Sequence, residues 1–134
     1  MNIKVNNNNS KFVGILFIFI GLSGSFSVLF GAWLAHGASH LSIEVLSRLE
    51  TALNYQFIHT LALFVTLVWI QVCDTSKWLK VSAILFSVGI LGFSATLYLK
   101  YLLNIQAIGV VTPYGGMTLA MAWLSLAIAG KKQL

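Results

Sequence analysis

Thr51-Ala52-Leu53-Asn54-Tyr55-Gln56-Phe57-Ile58-His59-Thr60-Leu61-Ala62-Leu63 is the stretch whose reading decides the fold. It opens a long apolar segment, yet it carries Asn54, Tyr55, Gln56 and His59 into that segment. Polar side chains in hydrocarbon are costly unless they face protein or water. A helix of this composition therefore needs a protected face, and the rest of the chain has to supply it.

The rest of the chain is apolar enough to do so. Its 134 residues suit one domain. The hydrophobic fraction is 58% and the charged fraction 8%, with a mean hydropathy of +0.89. Soluble domains carry about 25% charged residues, so a soluble globule is excluded. The net charge of +5 sits at the ends of apolar runs rather than in a stripe interleaved with aromatics. That is the charge pattern of membrane topology and not of nucleic-acid binding. Cys73 is the only cysteine, so no intrachain disulfide forms.

Upstream of the central stretch, Met1–Ser10 contains Asn6-Asn7-Asn8-Asn9 and reads as a disordered tail. Phe12–Ala35 has no charged residue and exceeds the roughly 20 residues that cross a bilayer. It is longer than a signal-peptide core of about 7–15 residues, so it reads as a retained first span. His36–Ser42 is a short polar connection. Ser42 is the expected N-cap of the second helix, with Glu44 in its first turn. That helix starts in the interface and spans about 51–72.

Downstream, Asp74-Thr75-Ser76-Lys77 makes a turn and Trp78 suits an interfacial position. The third span covers about 81–100. Leu102–Val111 reads as an apolar loop containing Asn104. Thr112-Pro113 then gives a helix start, with Thr as cap and Pro in the first turn. The fourth span covers about 113–130. The expected fold is all-α: an integral membrane up-down four-helix bundle, one domain from residue 11 to 134. Four spans place both ends on one side. Lys4, Lys11, Lys77, Lys80, Lys131 and Lys132 fall on that side and only Arg48 and Lys100 on the other. The positive-inside rule then predicts cytoplasmic N- and C-termini.

Small and polar residues recur at three- and four-residue steps in each span. The first offers Gly14, Phe17, Gly21, Gly24, Val28, Gly31 and Ala35. The second offers Ala52, Tyr55, His59, Ala62, Thr66, Trp69 and Cys73. The third offers Ser82, Leu85, Gly89, Gly92, Thr96 and Leu99, and the fourth Gly115, Thr118, Ala122, Ser125 and Ala129. Small residues let membrane helices approach closely. Gly21, Gly24, Gly31, Gly89, Gly92, Gly115 and Ala122 are therefore the expected packing positions.

Tyr55, Gln56 and His59 form the candidate intramembrane polar site. His59 reads either as a proton-relay or ligand-binding residue, or as a neutral histidine bonded across the bundle. Ser25, Ser27, Ser94, Thr96 and Thr118 match its depth as partners, and at least one should bond it directly or a water should bridge. His36, Asn54, Tyr98, Thr112 and Tyr114 are candidate outer-side polar residues: a small-molecule or headgroup pocket, or an interfacial aromatic belt. No metal is expected, because Gly37 and the Ser42 cap break the helix that would align His36, His40 and Glu44. A haem ligated by His36 and His59 fails on depth, a difference of roughly 15 Å. No carboxylate lies inside a span, and no nucleophile, base and orienting acid can be assembled. Neither a cofactor nor an enzymatic activity is expected.

Four motifs in order are Gly31-Ala32-x-x-Ala35-His36-Gly37, Thr51-Ala52-x-x-Tyr55-Gln56-x-x-His59-x-Leu61-Ala62-Leu63, Phe93-Ser94-x-x-Leu97-Tyr98 and Thr112-Pro113-x-Gly115-Gly116. Together they resemble the YgdD/YwdK-like small bacterial membrane proteins, the family called domain of unknown function 423. The resemblance runs from about Gly14 to Gly130. It implies a multi-pass protein of the bacterial inner membrane with no established molecular activity, and it adds no catalytic residue. The functional expectation is a non-enzymatic accessory or interaction module, partnered by the lipid bilayer and by a second copy or another membrane protein. The alternative is a small transporter or permeation subunit using the face around Tyr55 and His59.

Overall fold

The computed structural model describes residues 7–73 and 76–131. Its elements are α1 (Asn7–His36), α2 (Ile43–Cys73), α3 (Lys77–Ile90), a π turn (Leu91–Ala95), α4 (Thr96–Leu102), a 3-10 helix (Gln106–Val110) and α5 (Thr112–Lys131). Helix α3, the π turn and α4 run on as one rod, so four rods are long and apolar enough to cross a membrane. Each expected span lies inside one of them.

The boundaries follow local chemistry. Residues 7–10, expected as part of the tail, are helical. Once a long apolar helix is nucleated, adding residues at its end is cheap. Residues 1–6 lie outside the described residues. Helix α1 closes with the Gly37 amide on the Trp33 carbonyl at 2.7 Å. The Ser42 hydroxyl caps α2 by accepting from the Val45 amide at 3.3 Å. Residues 74–75 of the expected turn are not described. Ser76 beside them is extended and caps α3, its side chain accepting from the Trp78 amide. The loop after α4 is less irregular than expected. Asn104 takes a left-handed conformation, with φ of 56°, which Asn tolerates better than most residues. Its side-chain oxygen accepts from Gln106 Nε2 at 2.7 Å, and a short 3-10 helix follows.

Packing proceeds along the chain: α1 on α2, α2 on α3, and α3 with its π turn on α5. Helices α2 and α3 form the centre, and α1 and α5 flank them without comparable contact with each other. The buried cluster reflects this, with Leu63, Leu67 and Ile70 of α2 against Leu79, Ala83, Phe86 and Ile90 of α3. Leu119, Ala122 and Ala129 of α5 close the cluster on one side and Val13 of α1 on the other. Ile15, Ile18, Leu22, Val65, Met117 and Leu124 are among many large apolar side chains left exposed. In a membrane that surface meets lipid.

The inward face of α1 differs from the expected one. Val13, Ser23, Ser27 and Phe30 are buried, with Leu16 and Ile20 packed on the core. The three- and four-residue period is the expected one, shifted by one residue. A Cβ added to Gly14, Gly21 or Gly24 would meet nothing within 4 Å, and Val28 is 67% exposed. Lipid is as apolar as leucine, so hydrophobicity cannot choose the face. Ser23 can choose it, because it bonds to Gln56 and Thr60 of α2 and the glycines cannot. Gly31 touches α2 through Leu53 Cδ2, which an added Cβ would meet at 3.3 Å.

Candidate functional site

Gln56 lies on the α1 side of α2 and is 6% exposed. A primary amide brings two donor hydrogens and an acceptor oxygen into hydrocarbon, and all must be met. Its Nε2 donates to the Ser23 carbonyl at 3.1 Å and to Ser23 Oγ at 3.0 Å. Its Oε1 accepts from the Tyr98 hydroxyl at 2.8 Å. Ser23 Oγ also lies 2.7 Å from Thr60 Oγ1, and the Ser27 hydroxyl donates to the Ser23 carbonyl. One glutamine thus ties α1, α2 and α4 together. Beside it lies a cavity of about 370 Å³, walled by Phe19, Leu22 and Phe26 of α1 and by Leu91, Ala95 and Tyr98 across from them.

A second set of bonds joins the other helices. The Ser94 hydroxyl in the π turn donates to the Ala52 carbonyl of α2 at 2.7 Å. Ser82 donates to the Ala122 carbonyl of α5 at 2.9 Å. The Thr96 hydroxyl reaches back to the Gly92 and Phe93 carbonyls, both at 2.8 Å. A hydroxyl has one proton, so the Thr112 hydroxyl, 2.9 Å away, must donate to Thr96. Thr112, expected to cap α5, therefore spends its hydroxyl on helix-to-helix contact.

Tyr55 and His59 occupy a different face of α2. Residues 55 and 59 are one turn apart, whereas 56 is rotated by about 100°. The expected trio is therefore divided. His59 is 8% exposed, and its Nδ1 lies 2.6 Å from the Tyr55 carbonyl of its own helix. Only a donor can sit so close to a carbonyl oxygen, so Nδ1 carries the proton and Nε2 is the acceptor of the neutral ring. No direct cross-helix bond to Ser25, Ser27, Ser94, Thr96 or Thr118 is formed. The backbone carbonyl one turn earlier is nearer and needs no second helix. Around the imidazole stand Tyr55 at 5.5 Å, Phe86 at 6.0 Å and Trp123 at 6.2 Å between ring centroids. Tyr55 also stacks on Phe93 at 4.5 Å.

Of the outer-side candidates, His36, Asn54 and Tyr114 are exposed and outside these networks. Tyr98 and Thr112 are inside them. Ser23 and Thr60 were not singled out as site residues. Their signal was the four-residue spacing of Gln56 with Thr60 and of Ser23 with Ser27, which stacks polar groups on one face of each helix. Gly89, Gly92, Gly115 and Ala122 lie at the α3–α5 contact. An added Cβ on Gly89 would meet Leu119, and one on Gly92 would meet the Gly115 backbone. Among the described residues, no three His, Cys, Asp or Glu side chains converge as for a metal.

Comparison with known proteins gives concordant matches. A family profile described as "Protein of unknown function (DUF423)" matches residues 30–116. The chain is 38% identical over 114 residues to a UPF0382 membrane protein of Haemophilus influenzae, covering 84% of this chain and 90% of the relative. It is 30% identical over 127 residues to the UPF0382 membrane protein YwdK of Bacillus subtilis, covering 89% and 98%. It is 33% identical over 109 residues to the UPF0382 inner membrane protein YgdD of Escherichia coli, covering 81% and 82%. No solved structure matches.

Proposed function

Because the chain belongs to the DUF423 family of multi-pass membrane proteins, whose molecular activity is unknown, we propose that it acts as a non-enzymatic accessory or interaction module of the bacterial inner membrane. Both termini lie in the cytoplasm in this reading, on the strength of the lysine bias. One observation carries it. The buried hydroxyls and the Gln56 amide are spent on other helices or on backbone carbonyls, and no fully enclosed polar side-chain atom among the described residues lacks a partner. Such polar groups act as glue between helices, not as reagents. The partner is a second copy or another membrane protein.

Mild extraction, lysine-free crosslinking and mass spectrometry of the purified complex test this reading. A stoichiometric protein partner, or a defined oligomer, is the expected result. A monomer without partner that moves a solute across liposomes would instead establish the second reading, a small transporter or permeation subunit. That reading draws on the face at Tyr55 and His59, where a ring nitrogen has no partner among the described residues.

A further inference from the structure

Three aromatic side chains that each carry an unspent hydrogen-bonding group stand ring to ring where α2, α3 and α5 meet, Tyr55 and Trp123 on either side of His59 at 5.5 and 6.2 Å between centroids. The first group is His59 Nε2, an acceptor because Nδ1 donates to Tyr55. The second is the Tyr55 hydroxyl and the third the Trp123 indole N–H. None of the three bonds to any described residue. Among the described residues no fully enclosed side-chain nitrogen or oxygen is unpartnered, so Nε2 reaches the molecular surface although His59 is only 8% exposed. Tyr55 and Trp123 form the open rim, 42% and 45% exposed. Phe86 and Phe93 are the apolar floor, with Phe86 in edge contact with Trp123 at 5.2 Å and Phe93 stacked on Tyr55.

The depth of this cluster gives it meaning. Trp123 lies about 12 Å along α5 from Lys131, and His59 is near the middle of α2. These are not positions of the interfacial aromatic belt. The hydrocarbon core offers no water to satisfy such groups, and leaving them unmet is costly. No charged side chain stands among them, so a charged occupant would have no counter-ion. The rings offer flat apolar faces, and the rim opens toward the bilayer.

We propose that this cluster is a binding site for an uncharged, lipid-soluble molecule whose aromatic ring bears a hydroxyl, a phenol or quinol. The hydroxyl proton is donated to His59 Nε2. Its oxygen accepts from the Trp123 indole N–H or the Tyr55 hydroxyl, and its ring lies against the aromatic side chains. The proposal needs neither reading of function given above. The measurement below reads binding, not partner capture or flux, so it fails or succeeds independently of them.

The test uses the full chain, histidine-labelled with nitrogen-15, in lipid nanodiscs. The probes are 2-naphthol and 2-methoxynaphthalene, which lacks the proton, with empty nanodiscs as the partition control. The expected result is saturable binding of 2-naphthol with a shift of the His59 Nε2 resonance, assigned by its loss in His59→Phe. The ether should bind about two- to tenfold more weakly, the weight of one hydrogen bond, and leave Nε2 unmoved. Of Trp123→Phe and Tyr55→Phe, which each keep an aromatic ring, at least one should weaken 2-naphthol by a similar factor. Equal binding of both probes with Nε2 unmoved would overturn the proposal. So would an Nε2 already hydrogen-bonded without probe and unchanged by it, the signature of water alone. Absence of saturable binding above the empty nanodiscs would overturn it as well.

Discussion

Gly92 in the π turn and Gly115 in α5 meet backbone to backbone: a Cβ on Gly92 would lie 3.1 Å from the Gly115 Cα. A Cβ on Gly115 would overlap the Gly92 carbonyl and the Phe93 amide nitrogen. Neither obstacle is a flexible side chain, so the helices themselves must move. The bond nearby depends on this approach, because Thr96, the first residue of α4 directly after the π turn, meets Thr112 of α5 beside it.

Gly115→Ala should therefore lower stability by about 1–3 kcal/mol, the usual cost of overpacking. Thermal unfolding in a mild detergent reads it. Gly24→Leu, at an open position on α1, should leave Tm close to the parent value. Equal losses in the two variants would show that the α3–α5 contact has no special role.

Much of the architecture was legible in the sequence because a membrane enforces it. Apolar runs longer than a bilayer is thick leave few alternatives, and Ser42 and Thr112-Pro113 marked where helices start. Which face of α1 turns inward was not legible. Glycine spacing and serine spacing share one period in that helix, and only the hydrogen bonds to Gln56 and Thr60 decide between them. The division of Tyr55 and His59 from Gln56 was hidden for a related reason. Helix α2 is central and packs on both sides, so neighbouring residues serve different neighbours. The π turn had no signal in residue type. It appears where Gly92 must reach Gly115 while Ser94 reaches Ala52.

The orientation has its own test. Reporter fusions after Lys132 and within residues 36–42 should report a cytoplasmic C-terminus and an external first loop. The lysine bias predicts that result. A cytoplasmic first loop would contradict it.

His59 should matter little for stability. Its ring bonds within its own helix, so replacing it breaks no hydrogen bond between helices. His59→Gln should fold with a Tm near that of the parent, while Gln56→Leu should lower it. A loss for His59→Gln as large as for Gln56→Leu would place His59 in the structural framework and contradict the geometry described.

The central claim is that Gln56 holds α1, α2 and α4 together by hydrogen bonds rather than by its bulk. A double-mutant cycle of Tyr98→Phe and Gln56→Leu, read by reversible unfolding in bilayer-like micelles, tests it most directly. Tyr98 donates to Gln56 Oε1 at 2.8 Å, and hydrogen bonds between membrane helices average about 0.6 kcal/mol, reaching about 1.7. The account predicts a favourable coupling energy inside that range, with Tyr98→Phe costing nothing further once Gln56 is leucine. Strictly additive losses, with no coupling between the two positions, would contradict it.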